Sequence, residues 1–133
     1  MSGLPSVPVV TSPFSFVASA NAIRLAGAEP VFADIDPETY NLDPVAVEEI
    51  VRREDDVAAI LPVHLYGLPA EMDHLLDVAD DYDLAVIEDA AQAHGATYRG
   101  EPVGSLADAA CFSFYPTKNM TTGEGGRITT DRA

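Results

Sequence analysis

The chain has 133 residues, 47% of them hydrophobic, and carries 22 acidic against 7 basic side chains for a formal charge of −15. That length supports one hydrophobic core, the even spread of apolar residues argues against disorder, and the negative charge repels nucleic-acid phosphates and anionic lipid alike. The start, MSGLPSVPVV, has no basic segment ahead of a long apolar one, and no apolar run approaches the ~18 residues that a membrane span needs, so the expected location is the cytoplasm.

In chain order, short runs rich in Val, Ile and Ala alternate with helix-like segments. Strands are expected at Val7 to Val10, Pro30 to Ile35, Val57 to Val63, Leu84 to Glu88, Ala109 to Phe114 and Arg127 to Thr130. A helix over Phe16 to Leu25 should stop at Gly27. A second should start at Asp43 as N-cap with Pro44 in the first helical position, and run to about Arg53, with Glu48 and Glu49 ahead of Arg52 and Arg53. A third, from about Glu71 to Tyr82, places Met72, Leu75, Leu76 and Ala79 on one face. Several strands are apolar on both parities, as expected when both faces are covered. The fold class expected is therefore α/β, three layers, with a mostly parallel sheet and helices on both faces. The one cysteine, Cys111, lies in the apolar run Ala109 to Phe114 and should be a buried, reduced thiol.

In such sheets ligands collect at the carboxyl ends of strands, and three of those ends stand out: Thr11 to Phe16, Glu88 to Gly95, and Ser113 to Gly126. In LAVIEDAAQAH a buried strand ends on two acids, Glu88 and Asp89, one of which should enter the crevice. Taken alone, such an acid can equally cap the following turn. In SFYPTKNMTTGEGG, Lys118 sits between an aromatic strand and a glycine-rich loop, and taken alone it reads as a solvated charge. A calcium loop at Asp34, Asp36 and Glu38 is excluded by Thr39 and Val45 where glycine and glutamate are required. His64, His74 and His94 lack metal-ligand spacing, although His94 neighbours the crevice, and no metal is expected.

The pair EDAAQAHG and SFYPTKNMTTGEGG, preceded by SPFSFVASANAIRLAGAEPVFADIDPETYNLD and LPVHLYG in the same order, resembles the DegT/DnrJ/EryC1/StrS aminotransferases, a branch of the fold-type I enzymes that use pyridoxal 5'-phosphate (PLP). The resemblance covers almost the whole chain. It implies Lys118 as the Schiff-base lysine and proton carrier, and Asp89 as the partner of the pyridine nitrogen. It also implies Gln92 near the cofactor's ring hydroxyl, Ser113 on its phosphate and Phe16 stacked on its ring. Asn119 and the GEGG glycines would shape the turn that presents Lys118.

The activity implied is transamination of a keto sugar, nucleotide-linked, with an amino acid donor such as glutamate. The partners implied are these small molecules and a second subunit, in a homodimer or as a complementing chain. Lys118 argues against the sugar dehydratases of the family, which carry histidine at that position. Residues 1–133 would form a partial PLP-binding large domain, lacking the N-terminal phosphate-binding segment and the C-terminal small domain, and so weak or inactive alone. The competing expectation is a non-catalytic α/β remnant that serves as an oligomerisation or binding module.

Overall fold

The computed structural model describes residues 6–131. Eight strands and three helices follow one another as β1 (Pro8–Thr11), α1 (Ala18–Leu25), β2 (Glu29–Phe32), α2 (Pro44–Arg53), β3 (Ala59–Leu61), α3 (Met72–Tyr82), β4 (Ala85–Asp89), β5 (Thr97–Tyr98), β6 (Glu101–Pro102), β7 (Ala109–Ser113) and β8 (Gly126–Thr129), with a 3-10 turn at Leu65–Gly67. Six of the strands form one sheet in the order β2-β1-β3-β4-β7-β8. The first five are parallel and β8 runs antiparallel to β7. This is the mostly parallel α/β architecture expected, and all six expected strands and three expected helices are present with boundaries shifted by a few residues.

The chain first steps outward from β1 to β2, then crosses back over β1 to β3 and on to β4. Right-handed crossovers therefore put α1 on one face of the sheet and α2 with α3 on the other. The main core lies on the second face, where Val47, Ile50 and Val51 of α2 and Met72, Leu75, Val78 and Ala79 of α3 pack on Val10, Ile60 and Val86. In α3 the buried stripe takes Val78 in place of the expected Leu76, which is only partly buried.

Local chemistry explains the helix ends. Asp43 keeps extended backbone and accepts a hydrogen bond from the Val45 amide at 2.9 Å, with Pro44 opening α2 as expected. Glu48 and Arg52, one turn apart on α2, form an ion pair on its surface. Asp83 ends α3 in the left-handed region at φ 55°. Asp36, in the stretch excluded as a calcium loop, instead ties a turn. Its Oδ1 accepts from the Thr39 and Glu38 amides and the Thr39 hydroxyl, which hold its carboxyl below the usual carboxylate range.

Two features differ from the sequence expectation. Thr97–Tyr98 and Glu101–Pro102 form a small antiparallel hairpin around Arg99 and Gly100, both at positive φ, in a stretch outside the expected strands. Cys111 is exposed and not buried. Its neighbour Ala110 faces the covered side of β7, so strand alternation sends Cys111 to the other, more open side. Burial of the sulfur, followed by the negative charge of neighbouring Asp89, nevertheless raises its pKa.

Candidate active site

The direction of winding reverses between β1 and β3, and the crevice opens at the carboxyl ends of the strands on either side of that point. A cleft of about 690 Å³ occupies it, a size usual for small-molecule sites. Its walls are supplied by the loop after β1 (Ser15, Phe16) and the start of α1, by Val63 and Leu65 after β3, by Asp89 and Gln92 at the end of β4, and by Ser113 with the Lys118 loop after β7. All five residues singled out in the sequence, Phe16, Asp89, Gln92, Ser113 and Lys118, therefore line one cavity.

Strand alternation decides between the two acids. Along β4, Val86 and Glu88 are fully buried towards α3, while Asp89 faces the cleft and is half-buried. The Asp89 backbone is pinned to the segment after β3, its amide donating to the Pro62 carbonyl at 2.8 Å and its carbonyl accepting from the His64 amide at 3.0 Å. Its carboxylate accepts from the Ser19 hydroxyl at 2.7 Å and from the Ala91 amide at 3.2 Å. Open lone pairs remain for a cationic partner.

Glu88 anchors the same strand end from beneath. Its carboxylate accepts from His64 Nε2 at 3.0 Å, from the Gly104 amide at 2.9 Å and from the Leu106 amide at 3.0 Å. His64 Nδ1 accepts from the Ala70 amide at 3.0 Å, which places the neutral ring's proton on Nε2, facing Glu88. Burial pushes the Glu88 carboxyl up, but the bonds from His64 and the two amides outweigh it and leave its pKa lowered.

Gln92 is oriented by the backbone. Its Oε1 accepts from the Tyr66 amide at 2.7 Å, so its Nε2 donors are left for the cleft. Tyr66 is held at φ 54°, and Gly67 follows at φ 86° with the Gln92 carbonyl 3.3 Å from where a Cβ would lie. Buried Asn41 fixes this turn from behind. Its side chain accepts from the Leu65 amide at 3.0 Å and donates to the Leu68 and Pro69 carbonyls at 3.0 and 3.2 Å.

Lys118 rides on a loop closed at its base, where the Phe114 amide donates to the Gly125 carbonyl and the Thr122 amide to the Phe114 carbonyl. Gly123 takes φ 83°, and a Cβ on Gly125 would lie 2.5 Å from Thr122 Oγ1, so this loop requires its glycines. Lys118 forms no ion pair among the described residues. It is also the only lysine in the chain. Phe16 is 74% exposed at the cleft mouth, which rules it out as a core residue. His94 does not line the cleft and packs between Phe112 and Phe114, at ring distances of 5.5 and 5.6 Å.

A carboxylate, an amine, an amide donor, a hydroxyl and an aromatic ring around one cavity form a chemically defined set. They suit a flat ring that carries a basic nitrogen, an aldehyde, a hydroxyl group and a phosphate, and PLP is such a molecule. The model of the DegT/DnrJ/EryC1/StrS aminotransferase family matches residues 4–133. The chain belongs to this family.

Among its relatives, GDP-perosamine synthase of Caulobacter vibrioides is 50% identical over 96% of this chain and 34% of its own length. UDP-2-acetamido-2-deoxy-3-oxo-D-glucuronate aminotransferase of Pseudomonas aeruginosa is 44% identical over 96% of this chain and 35% of its own. The crystal structure of an aminotransferase from Psychrobacter cryohalolentis superposes with a TM-score of 0.91 at 42% identity, over 95% of this chain and 32% of that one. The chain thus spans about a third of the length of these relatives. Family members are PLP-dependent aminotransferases, with solved neighbours in both PLP and PMP forms, and relatives act on keto sugars that include nucleotide-linked ones. No helix among the described residues is long and apolar enough to cross a membrane.

Sequence reasoning missed Ser19, Ser15, Asn41 and the His64–Glu88 pair. The first two sit in a stretch that reads simply as a helix start; Ser15 meets Ser19 four residues on, and the contact of Ser19 with Asp89 crosses 70 residues of chain. Only the register of β4 shows which acid faces inward.

Proposed function

We propose that this chain holds the reacting ring of a PLP-dependent sugar aminotransferase, which moves an amino group from an amino acid donor such as glutamate to the keto group of a nucleotide-linked sugar. The observation that carries the reading is the convergence of Asp89, from the end of β4, and Lys118, from the loop after β7, on one cleft. When bound, PLP supplies an aldehyde and an electron-accepting ring.

Each side chain then has a distinct task. Asp89 keeps the proton on the ring nitrogen through a charge-assisted hydrogen bond, which its Ser19 and Ala91 bonds leave it free to make. Lys118 Nζ would hold the aldehyde end of the cofactor and would carry the proton between the two carbons. Gln92 Nε2 would donate to the ring hydroxyl, and Ser113 Oγ would donate to the phosphate. Phe16 covers one ring face and limits the access of water. The small molecules are the expected partners, together with a homodimeric or complementing subunit, and the expected compartment is the cytoplasm.

Mixing the chain with PLP should give an absorbance band that borohydride fixes, with the reduced adduct mapping to Lys118. With one lysine in the sequence, the only competing amine is the amino terminus. Lys118→Ala should lose the adduct. An adduct found solely on the amino terminus would refute this reading and favour a non-catalytic binding module.

A further inference from the structure

We propose that Ser19 is a positioning residue for the cofactor. It acts through Asp89, setting and holding the carboxylate that receives the ring nitrogen, as the terminal member of a relay that begins at Ser15. The inference rests on the reading given under Proposed function. Ser19 Oγ donates to Asp89 Oδ2 at 2.7 Å, a short bond of the charge-assisted kind. A hydroxyl has one hydrogen, and that of Ser19 is committed to the carboxylate. The 2.9 Å contact between Ser15 Oγ and Ser19 Oγ must therefore run from Ser15 to Ser19. The order Ser15 to Ser19 to Asp89 is fixed by this counting, and each bond polarises the next.

Ser19 is 5% exposed, so no water competes freely for its hydroxyl or for the lone pair it occupies. The other carboxylate oxygen takes the Ala91 amide. With one bond on each oxygen, the carboxylate plane is set by two points on different segments, one in the first turn of α1 and one just after β4. Its free lone pairs are thereby aimed into the cleft that both Ser19 and Asp89 line. The Ser19 amide also donates to the Phe16 carbonyl at 3.1 Å. One residue therefore fixes both the carboxylate for the ring edge and the backbone that carries the aromatic residue at the cleft mouth.

The test is a double-mutant cycle on PLP affinity, read by equilibrium titration of the chain's absorbance and emission with no substrate and no turnover required. Ser19→Ala should weaken PLP binding about tenfold, the size expected for one hydrogen bond to a charged group. Ser19→Thr, which keeps the hydroxyl, should bind like the wild type. In an Asp89→Asn background, Ser19→Ala should change affinity by less than about twofold, because the group through which Ser19 acts is already neutral. Ser15→Ala should show a smaller loss of the same kind.

If Ser19→Ala binds PLP as the wild type does, or loses the same factor with Asp89 and with Asn at 89, Ser19 is not a positioning residue and the inference fails while the reading of the site stands. If the Ser19→Ala chain fails to fold, the Ser19→Thr and Ser15→Ala chains decide the matter: affinity lost in the threonine variant, or unchanged in the alanine one, overturns the relay. If the wild-type chain takes up no PLP even when mixed with a full-length relative, the functional reading fails and this inference falls with it.

Discussion

His64 and Glu88 meet with His64 Nε2 and the Glu88 carboxylate 3.0 Å apart, both residues fully shielded from solvent. The pair lies directly under the cleft, because Glu88 is the chain neighbour of Asp89 and the His64 amide bonds the Asp89 carbonyl. A buried carboxylate with three donors around it keeps its charge, and the strand end it anchors cannot twist without breaking those bonds.

Replacing Glu88 by Gln should therefore cost about 3 kcal/mol in urea unfolding, since an amide offers one acceptor oxygen where three donors converge. The pH dependence has a definite sign. The folded carboxyl titrates below its unfolded counterpart, whose value is about 4.3. Its stabilisation is thus complete above that value and is lost as pH falls through it towards the lower folded value. Unfolding midpoints measured between neutral pH and pH 3 should fall less steeply for Glu88→Gln than for the wild type; parallel curves would mean that Glu88 is not the group responsible.

Cys111 is exposed, yet partial burial of its sulfur and the adjacent Asp89 charge raise its pKa. Asp89 and Cys111 are register partners across β4 and β7, so the charge acts at close range. The rate of alkylation by iodoacetamide should accordingly rise with a midpoint above the ordinary thiol value of about 8.5. Asp89→Asn should move that midpoint down. An unchanged profile would show that the carboxylate does not act on the sulfur.

The architecture was legible because runs such as Ala85 to Ile87 and the Asp43-Pro44 helix start carry strong local signals. The identity of the cleft residues was legible through their order along the chain. Long-range and register-dependent facts were not. Leu84 to Glu88 is apolar on both parities, so nothing local says that Glu88 points down and Asp89 up. An apolar strand suggests two covered faces and so a buried Cys111, whereas its outer neighbour Ile128 is itself 70% exposed. The β5–β6 hairpin was hidden by its two-residue strands, although Arg99-Gly100 is a turn that accepts positive φ at both positions.

Asn41 satisfies three backbone groups with one side chain, two carbonyls and an amide of the Leu65 to Pro69 segment, at 3% exposure. Asn41→Ala would leave all three without their side-chain partner. A loss of about 2–3 kcal/mol in stability is expected. Amide hydrogen exchange at Leu65 should rise by more than the global loss explains, because its own acceptor has gone. A uniform rise across the chain would show that Asn41 supports the core in general and not this turn.

Gln92 offers a way to separate holding the loop from holding a ligand. Its Oε1 is committed to the Tyr66 amide at 2.7 Å, while its Nε2 is directed to the cleft. Gln92→Glu keeps an acceptor for Tyr66 and removes the donor. Gln92→Ala removes both. Unfolding stability should therefore change by less than about 0.5 kcal/mol in the Glu variant, and fall by about 1 kcal/mol in the Ala variant as the strained Tyr66 turn loses its tether. PLP affinity, in contrast, should fall about tenfold in both, since each lacks the amide donor and the Glu variant adds a negative charge beside a phosphorylated ligand. If the Glu variant binds PLP as tightly as the wild type, the amide nitrogen makes no contact with the cofactor and Gln92 is a loop tether alone.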